Sequence, residues 1–203
     1  QLMSKQERVL GFLVGFLVVV GIGATIRFMI EGGANEGFEE YPAITQAHVV
    51  PGLLYLILAP LQFLSSIRRK FPTFHRWSGR FLVVFSLTLG IAAMLIGLFF
   101  PYSGLPEQIV IAFFGIFFVM SASIGFIRAR QKDFKAHREW MLRSFSIGLA
   151  IVTMRLIFVP ILIVIGRPTT EDAQFWSIVS FTAAYFLHWF VVEWWIRQSR
   201  RTS

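Results

Sequence analysis

Residues 108–127 read QIVIAFFGIFFVMSASIGFI, a run without one charged side chain. An α-helix needs about 20 apolar residues to cross a bilayer core, because only an internally hydrogen-bonded backbone can be taken out of water. This stretch meets that length, and five more runs of the same kind surround it, near 9–30, 44–67, 77–100, 141–165 and 174–196. The reading is an all-α polytopic membrane protein with six transmembrane helices. The run from Val9 to Ile30 is too long for a signal-peptide core and lacks a small-residue cleavage site, so it is expected to stay as a helix.

Composition agrees. Of 203 residues 56% are hydrophobic and 15% charged, against about 25% charged in a soluble domain. The net charge of +8 would point to nucleic acid in a soluble protein. Here the basic residues fall between apolar spans, so the partners implied are the bilayer and its anionic lipids, with no nucleic acid. Cysteine is absent, which removes disulfides, thiolate metal sites, iron–sulfur clusters and cysteine nucleophiles. The loops are short, so the chain 1–203 is expected to form a single helical-bundle domain.

The connections sort by charge. Lys5, Arg8, Arg68, Arg69, Lys70, Arg76, Arg80, Arg128, Arg130, Lys132, Lys135, Arg138, Arg143, Arg197, Arg200 and Arg201 fall on one side. Glu31, Glu36, Glu39, Glu40, Glu107, Glu171 and Asp172 fall on the other, with Arg167 the basic exception. By the positive-inside rule both termini are expected to be cytoplasmic, and Trp77, Tyr102, Trp140, Trp176, Trp194 and Trp195 suit the interfacial belts.

Two stretches echo each other. IRRKFPTFHRWSGRF (67–81) and IRARQKDFKAHREWMLRSF (127–145) each end a span in Ile-Arg, cross a basic loop and open the next span with His-Arg. Spans two and three would then repeat as spans four and five, in the same orientation, placing His75 and His137 in equivalent positions.

HVVPGLLYLILAPLQF (48–63), FHRWSGR (74–80) and HREWMLRS (137–144), with Arg155 downstream, resemble the bacterial membrane proteins grouped as domain of unknown function 2306. The resemblance covers about half the chain and implies a multi-span membrane protein of prokaryotic type, expected in a bacterial cytoplasmic (inner) membrane. A looser likeness is to transmembrane two-haem b-type cytochromes, in which histidines on facing helices clamp each haem. The chain departs from that pattern, since the fourth span has no histidine.

The four histidines carry different weights. His75 and His137 read either as interfacial side chains or as the two axial ligands of one b-type haem, with Arg76, Arg80, Arg138 and Arg143 toward its propionates. Ligation would also require an acceptor on the second ring nitrogen. His48, beside Gln46 and before Pro51, reads as a buried hydrogen-bonding residue or a ligand in an incomplete second haem site. His188, near the middle of span six, is expected to point into the bundle, where it reads as a structural hydrogen-bonding residue or as a cofactor ligand.

Arg155 in AIVTMRLIFVP (150–160) lies near the bilayer centre, where a charge costs a few kcal/mol unless paired or wetted. Glu193 sits well away from the centre of its own span. Carbonyls, His48, His188, water or a bound anion remain as partners, with Pro160 freeing a carbonyl and Thr153 or Gln62 adding acceptors. Arg155 thus reads as a pin between helices or as the contact for a quinone or a propionate. No phosphate loop, HExxH, GxSxG or paired membrane carboxylates occur. The expectation is a redox-linked membrane protein binding haem b, a quinone or both between spans two and five. The alternative is a non-catalytic accessory or assembly subunit of a larger membrane complex.

Overall fold

The structure, a computed structural model, describes residues 5–31 and 41–201. Among them all regular structure is helical: α1 (Lys5–Glu31), α2 (Pro42–Phe63), a short α3 (Ser65–Lys70), α4 (Pro72–Phe99), α5 (Leu105–Arg130), α6 (Phe134–Ile165) and α7 (Thr170–Arg201). Every helix but α3 is long and apolar enough to span a membrane, so the six expected crossings are present. The expectations placed on Lys5, Glu31, Glu36, Glu39 and Glu40 fall on side chains outside the described residues.

The boundaries differ from the hydropathy reading where charged residues extend a helix past the apolar core. α6 begins at Phe134, because Asp133 caps it by accepting from the Ala136 amide at 3.1 Å. His137 therefore lies inside the helix, and so does His75 in α4. The second span ends early. Leu64 turns extended (ψ 119°), and Arg68 reaches back to donate to the freed carbonyls of Gln62 and Phe63 at 3.3 and 2.9 Å. Pro51, Pro60 and Pro160 all lie within continuous helix. The two proposed hairpins close differently: α3 joins α2 to α4, while α5 and α6 meet in a tight turn with Lys132 at φ 62°.

α6 is the centre of the bundle, packed on α1, α5 and α7, while α4 packs on α2 and α5. The core runs along the α2, α4, α5 and α6 faces through Tyr55, Leu82, Phe114, Phe118, Phe145 and Leu149. Lipid supplies no hydrophobic drive between helices, so close approach through small residues holds the interfaces. Ala122, Ala150 and Ala184 are fully buried. A Cβ on Gly97 would sit 2.2 Å from Ile111, and one on Gly115 2.5 Å from Met94, so α4 and α5 touch where only glycine fits. α1 is the outlier: it meets Val152 and Leu56 at Gly21 and leaves most of its surface open.

Candidate functional site

At the basic end three segments converge: the end of α2 with α3, the start of α4 and the start of α6. Gln62 donates to Ser78 at 2.8 Å, tying α2 to α4. The Phe63 and Phe145 rings meet at 5.2 Å, tying α2 to α6. His75 is half-buried here, within electrostatic reach of both Arg68 and His137. The two histidines are thus brought to the same end of the bundle and the same neighbourhood.

Their rings are set differently. His137 Nδ1 lies 2.8 Å from the Gly125 carbonyl on α5. A carbonyl can only accept, so Nδ1 carries the proton and Nε2 of the neutral ring keeps its lone pair. Gly125 also packs closely on α6, where a Cβ would lie 2.7 Å from the terminal methyl of Met141. The Nδ1 atom of His75 is buried and has no hydrogen-bond partner among the described residues. The surroundings are cationic. Partial burial, then the like charges of Arg138 and Arg69, push Arg68 below its ordinary value.

Of the arginines expected beside these histidines, Arg76, Arg80 and Arg138 are exposed, and Arg80 lies over the Trp77 ring at 4.8 Å. Arg143 is engaged elsewhere. It forms a two-pronged ion pair with Glu193 at 2.6 and 3.1 Å and covers Trp140 at 4.6 Å. Arg68, which the sequence reading left among the loop charges, stands nearer the histidines than its alignment suggested, because α2 ends early and α3 folds back.

A second polar group lies deeper. Arg155 and Leu89 are each about 15 Å by helical rise from the acidic ends of α6 and α4. His48 donates from Nδ1 to the Leu89 carbonyl at 3.3 Å and lies within electrostatic reach of Arg155. Tyr185 on α7 is the other group that feels Arg155. It packs with Met154, the residue before Arg155, and stacks on Phe181 at 4.4 Å and 9°. Sequence reasoning missed Tyr185, since one tyrosine among six spans gives no signal until the facing helices are known.

His188 and Thr153 do not join this group. They share a hydrogen bond of 2.8 Å, and Ser146 donates to the His188 carbonyl at 3.0 Å, so His188 staples α7 to α6 as expected. Gln62, committed to Ser78 at the basic end, is no acceptor for Arg155 either. Among the described residues no cluster of three or more His, Cys, Asp or Glu could hold a metal ion.

A family model described as "Predicted membrane protein (DUF2306)" matches residues 45–192. The chain belongs to the DUF2306 family. The DUF2306 match extends well past the sequence resemblance, into α7, and takes in all four histidines, Arg155 and Tyr185. All of α1 lies before it. Among curated proteins and solved structures no match to this DUF2306 chain is found. Family, helical architecture and spans together make it an integral membrane protein in contact with lipid.

Proposed function

We propose that this protein is a redox-linked membrane protein that holds one b-type haem between His75 and His137. The observation that carries the reading is the His137 ring, whose Nδ1–H is fixed by the Gly125 carbonyl so that Nε2 is free to coordinate. Iron-ligating histidines are held in this way, with the second nitrogen donating to a carbonyl or carboxylate. His75 stands in the same neighbourhood with no described partner on its own Nδ1. The cationic surroundings favour the reading too. Arg68 and Arg138 lie together there without a described carboxylate pairing either, and propionates would supply the missing negative charge.

Haem would contribute one-electron chemistry when bound; the chain's own part is to orient two neutral imidazoles and balance charge. Absorption spectra of detergent-purified protein from haem-replete cells test this directly. A Soret band that shifts on dithionite reduction is expected, lost in both His75→Ala and His137→Ala while the helical circular dichroism stays. Colourless wild-type protein without iron or porphyrin would overturn the reading.

A further inference from the structure

Arg155 poses a problem that the histidine pair at the basic end does not solve. Its side chain is exposed at the surface of the bundle although it sits deep along α6. Among the described residues its guanidinium makes no hydrogen bond and no ion pair. It lies about 15 Å from the acidic end of α6, at membrane depth, where an unanswered cation costs several kcal/mol. Something with oxygen lone pairs must meet it.

Two neighbours limit what that is. His48 spends Nδ1–H on Leu89, which leaves Nε2 as an acceptor in the neutral ring. Tyr185 brings a phenol O–H from the opposite helix, on a ring stacked flat against Phe181. Arg155 therefore offers several donors, Tyr185 one donor that can also accept, and His48 one acceptor, on three different helices beside a planar aromatic wall. A charged headgroup is a poor occupant at this depth. A flat, apolar ring with oxygens that gain protons on reduction suits all three groups. We infer that Arg155, His48 and Tyr185 form a binding site, open to the bilayer, for a lipophilic quinone. The site stands whether or not haem is bound at the basic end, since it shares no residue with His75 and His137.

The probe is a decyl-tailed benzoquinone bearing a photoreactive azide, applied to the full chain in lipid nanodiscs. Labelling is expected on α2, α6 or α7 peptides close to these residues, and unlabelled decyl-benzoquinone should suppress it. Arg155→Gln should lower labelling at least 10-fold. Arg155 could also be needed for folding, so Tyr185→Phe provides a gentler test: the ring stays on Phe181, only the hydroxyl goes, and labelling should fall at least 3-fold with thermal stability unchanged. Three outcomes would overturn the inference. These are labelling in folded Tyr185→Phe equal to wild type, labels scattered over lipid-facing helices, or oleate competing as well as the quinone, which would make this a fatty-acid carboxylate site.

Discussion

Replacing Glu193 with Gln should cost about 2 to 3 kcal/mol of stability, because it removes the charge that answers Arg143 in a place of limited water. The Arg143 side chain is 12% exposed and Glu193 24% exposed, and two hydrogen bonds join them at 2.6 and 3.1 Å. Hydrogen bonds to charged groups contribute about 1.5 to 3 kcal/mol each in net terms, and stranding one member of a buried pair costs about 3 to 5 kcal/mol. Partial exposure and the basic end's headgroups relieve some of this, which sets the lower figure. In equilibrium terms that is roughly a 30- to 150-fold shift toward the unfolded state. Unfolding by SDS in mixed micelles, on wild type, Glu193→Gln, Arg143→Met and the double variant, measures the pair's coupling. A coupling of about 1.5 kcal/mol or more is expected. Additive single changes, with coupling below about 0.5 kcal/mol, would refute the argument and would return Arg143 to the pool of residues available to an anionic ligand.

Gly97→Val should destabilise by about 1 to 3 kcal/mol through forced separation of α4 and α5, seen as a lower thermal midpoint; an unchanged midpoint would mean Ile111 yields freely. Lys132→Gly should stabilise by about 0.5 to 1 kcal/mol, since a side chain at φ 62° is strained in the turn where the Lys132 and Asp133 amides donate back to Ala129 and Arg128. The same thermal scan checks the sign. Thr153→Val should cost about 1 kcal/mol alone and almost nothing in a His188→Ala background, because both changes break one hydrogen bond.

The spans were readable because lipid imposes a length on any apolar helix, and prolines at 51, 60 and 160 did not interrupt that signal. Their ends were less so. Asp133 capping and the return of Arg68 to Gln62 and Phe63 depend on side-chain geometry, which hydropathy does not register. Depth left carbonyls, His48, His188, water or a bound anion as partners for Arg155; of the two histidines, His48 lies within its electrostatic reach, while His188 bonds to Thr153. Tyr185 and the Gly125 carbonyl escaped notice for one reason: each acts across a helix–helix interface whose rotation the sequence does not reveal. Arg143 looked like its neighbours in the motif, and only the packing of α6 on α7 brought Glu193 to it.

The loosely attached α1 has a bearing on sidedness. From residue 42 to residue 201 the chain crosses five times, an odd number, so those two points face different compartments. α1 adds a sixth crossing and makes the count even, which brings residue 5 back to the compartment of residue 201. The helix that contributes least to the core therefore decides on which side residue 5 is displayed. A reporter fused ahead of residue 5 should answer to the same compartment as one fused after residue 201, and a reporter fused to residue 42 with α1 removed should answer to the other.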